Sequence, residues 1–143
     1  MENCTESNAL QTEQQVRELA LSIMRACGAI HDSLRELSGT ASKEDNTLPY
    51  ALLTEEYALR SRANTLLIEA KRLARPGLAI SQQEMLGILE TLDRRIKAVS
   101  SLRELAELIN SATLFANSVM SMKTNVISFL LSDLNQTINN QSV

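Results

Sequence analysis

A chain of 143 residues with a formal net charge of −3 can bury a hydrophobic core without metal or disulfide support. Four Gly, two Pro, no Trp, two Tyr and two Phe exclude a turn-rich sheet protein, and the abundance of Leu, Ala, Glu, Arg and Ser favours helices. Cys4 and Cys27 lie far apart and supply no disulfide framework, so a reducing compartment is expected.

The stretch from Met1 to Thr12 has no basic region followed by an apolar run, so no signal peptide is expected. No uninterrupted apolar run approaches the roughly 20 residues that span a bilayer. A soluble, cytoplasmic protein without membrane contact follows as the expectation. Residues 1–143 read as a single helical domain, with a polar tail over 1–8 and a frayed end over 139–143.

The first helix is marked by Val16, Ala20, Ile23, Cys27, Ile30, Leu34 and Leu37, which alternate steps of four and three as in a coiled coil. Leu19 and Met24 widen this stripe, as in a helix covered by more than one neighbour. Gly39 is the expected stop, and residues 40–47 read as a loop. A second helix is expected to start between Thr47 and Thr54, with either threonine as its cap. Its buried seam is Leu52, Leu59, Ala63, Leu66, Ala70 and Leu73, and Arg75-Pro76-Gly77 ends it. Ser81 and Glu84 form a capping box that opens a third helix, with Met85, Leu89, Leu92, Ile96 and Val99 as its apolar row.

Ser101 and Glu104 make a second such box, which predicts a turn at Ser100-Ser101 and a fourth helix from Leu102 to Ile138. The alternative is one unbroken helix through the serines, because no Gly or Pro occurs after Gly87. The expected fold is therefore all-α, an antiparallel helical bundle of four helices, or of three with one very long C-terminal helix. At 1.5 Å per residue the fourth helix would measure about 55 Å against about 27 Å for the third. Such a helix outruns its neighbours and needs cover from elsewhere.

Its surface pattern points the same way. From Asn110 to Gln136 the only charges are Lys123 and Asp133. Ile109, Ala112, Ala116, Val119, Val126, Leu130 and Leu134 form the apolar stripe. Opposite them stand Asn110, Thr113, Asn117, Ser121, Thr124, Ser128, Ser132 and Asn135, where a water-facing helix normally carries charge. Residues Asn110, Thr113, Asn117, Ser121, Thr124, Ser128 and Ser132 are accordingly the expected partner-binding surface, and a homo-oligomer formed through this helix is its most concrete form.

Charge is unevenly spread. Residues 57–103 hold nine basic side chains (Arg60, Arg62, Lys71, Arg72, Arg75, Arg94, Arg95, Lys97 and Arg103) and four acidic ones, whereas residues 1–56 hold four basic and ten acidic. Acidic and basic helices packed side by side account for this most simply. A nucleic-acid surface on the basic middle is the alternative. The negative net charge and the lack of interleaved aromatic residues count against it.

Chemistry is sparsely indicated. Cys27 and His31 stand one helical turn apart, half of a zinc site, but His31 is the sole histidine and no second pair completes four ligands. His31-Asp32-Ser33-Leu34 resembles, over these four residues, the phospho-acceptor segment of one histidine-kinase subfamily, where a His-Asp pair lies on a helix of a dimeric bundle. Gly28 stands where that pattern has a basic residue, and no nucleotide-binding portion follows. The resemblance implies a stand-alone phosphotransfer module on His31 as a second alternative and does not assign the family. Glu55-Glu56 and Glu104 with Glu107 read as acidic first turns of helices, Glu90 and Asp93 as a solvated face. No phosphate-binding loop or nucleophile setting is present. The expected function is non-enzymatic: a scaffold, adaptor or regulator that binds protein, without cofactor or metal.

Overall fold

A computed structural model describes residues 8–40 and 47–140. Its regular elements are α1 (Glu13–Thr40), α2 (Thr47–Ile68), α3 (Ala70–Leu73), α4 (Gln82–Ala98), α5 (Leu102–Ser121) and α6 (Thr124–Asn140). No strand occurs among the described residues; a single bridge joins Asn8 to Ser81. The all-α expectation holds, and six helices stand where four were expected.

The periodicity of α1 places Val16, Ala20, Ile23, Cys27, Ile30 and Leu34 in the core together with Leu19, Ala26 and Ala29. Its width has a physical cause, because α1 packs against both α2 and α4. The helix runs through Gly39 to Thr40. In α2, Thr47 is already helical and Thr54 returns its hydroxyl to the Tyr50 carbonyl at 3.1 Å, so neither threonine caps. Glu55 and Glu56 thus lie well inside the helix rather than in its first turn. Regular structure breaks at Glu69 (φ −100°, ψ 20°) before the single turn of α3, which keeps Ala70 and Leu73 buried.

Ser81 caps α4 as the sequence predicts. Its hydroxyl accepts from the Glu84 N–H at 3.0 Å while the Glu84 carboxylate faces the Ser81 N–H. Ser101 opens α5 in the same way, accepting from the Glu104 N–H at 3.2 Å, and so a turn rather than a continuous helix lies at Ser100-Ser101.

The expected helix from Leu102 to Ile138 is not one helix. Met122 adopts a left-handed conformation (φ 65°, ψ 17°) and ends α5. Ser118 and Ser121 turn their hydroxyls onto the carbonyls of Phe115 and Ser118, each at 2.6 Å, and such back-bonding competes with the helical ladder. Arg75 donates to the freed Met122 carbonyl at 2.7 Å, placing a cation at the negative end of α5. With 20 and 17 residues, α5 and α6 measure about 30 Å and 26 Å, shorter than α1 at about 42 Å. Excess length therefore no longer calls for a partner.

The interruption also changes phase. Ile109, Ala112, Ala116 and Val119 are buried as expected, but in α6 the core residues are Ile127, Leu131, Leu134 and Ile138, with Val126 and Leu130 only half-buried. Packing runs from α4 to α1, α2, α5, α6 and back to α4, around one contiguous apolar core. Buried Ala9 and Leu10 join that core: the Ala9 N–H donates to the Ile80 carbonyl at 2.9 Å, and the Leu10 carbonyl accepts from the Arg75 N–H at 2.7 Å.

Candidate functional site

The seven residues expected to bind a partner are divided between two helices. Asn110, Thr113, Asn117 and Ser121 lie on α5, whereas Thr124, Ser128 and Ser132 lie on α6. Asn110, Asn117, Ser121, Ser128 and Ser132 are exposed; Thr113 and Thr124 are half-buried. The two helices pack side by side, joined by a hydrogen bond of 3.0 Å between the Ser111 and Thr137 hydroxyls. Each face also presents an apolar side chain to water, Leu114 on α5 and Phe129 on α6, the latter 69% exposed. Leu114 lies within four positions of both Asn110 and Asn117, and Phe129 adjoins Ser128. An uncharged surface with an apolar residue on each helix results.

A second exposed region follows the α1–α2 seam. His31, Tyr50, Leu53, Tyr57 and Arg60 line a groove of about 580 Å³ whose floor includes the buried Glu56. Arg60 holds Glu56 Oε2 with Nη2 at 2.8 Å, and His31 Nδ1 stands 3.9 Å from Oε1, too far for a hydrogen bond. Cys27, fully buried one turn before His31, has its thiol pushed up to about 12, first by burial and then by the Glu56 charge. A thiol so strongly protonated is a poor nucleophile and a poor metal ligand. Among the described residues no group of three or more His, Cys, Asp or Glu side chains is placed to hold a metal ion. His31 itself is half exposed at the margin of α1.

Sequence reasoning missed two features here. Glu56 falls on the buried seam of α2, between Leu52 and Leu59, and that spacing could have found it. Tyr50 and Tyr57 were legible as half of the aromatic complement, seven residues apart and off the buried seam.

Four of the nine basic side chains of the middle pair with carboxylates three or four residues away in the chain. Arg60 pairs with Glu56, Arg72 with Glu69, Arg94 with Glu90 at 3.8 Å and Lys97 with Asp93 at 3.1 Å. These carboxylates come from α2, α4 and the break at Glu69 rather than from α1. A further groove of about 600 Å³ between α1 and α4 is lined by Glu18, Leu21, Arg25, Leu86, Glu90 and Asp93, and in it Asp93 Oδ1 lacks a hydrogen-bond partner. Among the described residues no helix is long and apolar enough to cross a membrane. Searches against protein-family models, curated proteins and solved structures give no match, so these surfaces are the whole basis for a functional assignment.

Proposed function

We propose that this chain is a non-enzymatic interaction module, an antiparallel helical bundle that acts as a scaffold, adaptor or regulator by binding protein. One observation carries the proposal: the outer faces of α5 and α6 bear Asn, Ser and Thr around exposed Leu114 and Phe129, with Lys123 and Asp133 as the only charges between Asn110 and Gln136. Small neutral groups desolvate cheaply and let a partner backbone approach closely, whereas a charge buried there would need a counter-charge. A second copy of the chain brings the same neutral face and is the simplest occupant.

A photoreactive phenylalanine analogue at Phe129 tests this in cells. A discrete protein adduct, of the chain with itself or with another protein, is expected, and Ser128→Glu should abolish it. Labelling no stronger than from the same analogue at Glu13 would overturn the proposal. So would a predominantly nucleic-acid adduct, which would favour the basic segment instead.

A further inference from the structure

The elbow between α5 and α6 is built from residues that favour an unbroken helix. Met122 and Lys123 alone separate the two elements, and both residue types are good helix formers. Met122 nevertheless stands at φ 65°, a left-handed conformation that residues with a Cβ seldom adopt. Leu10 is the other non-glycine residue at positive φ among those described, and Arg75 ties down both. Its backbone N–H donates to the Leu10 carbonyl and its Nη1 to the Met122 carbonyl, each at 2.7 Å. The helix ends that meet at the elbow also lack terminal chemistry. Whereas α4 and α5 each open on a serine cap followed by a glutamate, α6 opens on Lys123, whose carbonyl accepts from the Ile127 N–H at 2.9 Å. A cation stands there where a helix favours an anion, and the last turn of α5 holds no basic residue of its own.

We infer that this elbow is a hinge through which two copies of the chain exchange α6. Met122 and Lys123 join the helix, α5 and α6 become one rod of about 58 Å, and the α6 of each copy takes the place that the other's α6 has left. The occupant follows from identity. Ile127, Leu131, Leu134 and Ile138 are the core face of α6, and the seat on α4 and α5 that receives them is the same in the second copy. Every contact of α6 with the core is therefore remade across the dimer, the Ser111–Thr137 hydrogen bond included. The two forms differ at the elbow. Exchange releases the left-handed residue and completes the helical ladder, while the Arg75 bond to the Met122 carbonyl and the independence of the two chains are lost. Short hinges under strain favour such exchange. The rods would run antiparallel and cross near Met122, where Ser118, Ser121, Thr124 and Asn125 are small and uncharged and Lys123 is the only charge. Leu114 and Phe129 keep their positions on α5 and α6 in both forms, so the inference is independent of a contact on that outer face.

Refolding the purified full chain from urea at tens of micromolar tests it, with mass read by light scattering. A dimer fraction that grows with the concentration during refolding is expected. Met122→Gly suits the left-handed bend and disfavours the rod, so it should weaken the dimer on the order of tenfold. Arg75→Ala removes the bond to Met122, keeps the backbone bond to Leu10 and should tighten the dimer by a similar factor. In a Cys4→Ser background, Ser111→Cys with Thr137→Cys sets two thiols where the hydroxyls now touch. When diamide oxidises them, the dimer fraction should become covalently joined and the monomer should close its bridge within one chain, as a non-reducing denaturing gel shows. Phe129→Glu should alter neither result. A dimer whose bridges all lie within single chains would overturn the inference. So would a wild-type chain that refolds only to monomer, or a dimer that Met122→Gly leaves undiminished or Arg75→Ala leaves no tighter.

Discussion

The Leu10 N–H donates to Oε1 of Gln82 at 3.1 Å, tying the approach to α1 onto the first turn of α4. Gln82 is buried and its Nε2 also donates to the Gln15 carbonyl at 2.9 Å and to the Glu18 carboxylate at 3.0 Å. One side-chain amide thus links the segment before α1, the first turns of α1 and the start of α4. Gln82→Leu should lower unfolding stability by about 1–3 kcal/mol in urea titration. Gln82→Glu should be at least as damaging, since it turns two donated hydrogen bonds into contacts between acceptors.

Cys27 should resist alkylation in the native protein at pH 8 and react once unfolded, as mass spectrometry with iodoacetamide would show. Its thiol is raised from an ordinary 9.0 to about 12 by burial, so the folded state holds the proton more tightly than the unfolded one. The associated stability is complete below pH 9 and is lost as pH rises from about 9 towards 12. Cys27→Ala should remove packing worth roughly 1–3 kcal/mol and flatten that alkaline decline.

At the start of α5 the Glu104 carboxylate accepts from the Ser100 N–H at 2.9 Å and from its hydroxyl at 3.1 Å, which holds the acid below its usual range. A lowered carboxylate contributes stability above the ordinary pKa of 4.5 and loses it as pH falls through the lowered value. Glu104→Gln should therefore reduce the difference in melting temperature between pH 7 and pH 3. Ser101→Ala, which removes the cap itself, should cost about 1 kcal/mol at neutral pH.

Gly77 sits at φ +117° in the turn between α3 and α4, a conformation side chains rarely adopt. A Cβ there would also stand 3.3 Å from the Thr124 methyl at the head of α6. Gly77→Ala should destabilise by about 1–3 kcal/mol. Adding Thr124→Ser should recover only a small part, because removing the methyl relieves the crowding and leaves the backbone strain. Full recovery in thermal melts would show that crowding, not φ, was the cost.

Much of this architecture is written in local chemistry. The seam of α1, the Ser81 box and the turn at Ser100-Ser101 follow from side chains that act within one or two turns, so sequence alone places them. The break at Met122 is different: Met favours helices, and the left-handed residue is held by Arg75, 47 positions away. That contact is invisible to periodicity, and missing it put Val126 and Leu130 where Ile127 and Leu131 face the core, while Leu134 is buried as expected. Asn8 reads as the end of the polar tail, and Ala9 and Leu10 belong to no expected element, yet they dock through backbone groups whose partners come from residues 75–82. The neutral residues from Asn110 to Ser132 were legible as unusual; their division between two helices was not. Residues 1–7 and 141–143, the remainder of the expected polar tail and frayed end, lie outside the described residues.

The left-handed residue at Met122 also sets the footprint that a binding partner would meet. One helix of about 55 Å offers a strip a single helix wide. Folding it into two adjacent helices halves the length and doubles the breadth, giving a platform of about 30 Å by 20 Å. A lone amphipathic helix covers only half of such a platform and would leave either Leu114 or Phe129 wet. A hairpin or the flank of a globular domain covers both, so breadth rather than length selects what can bind there.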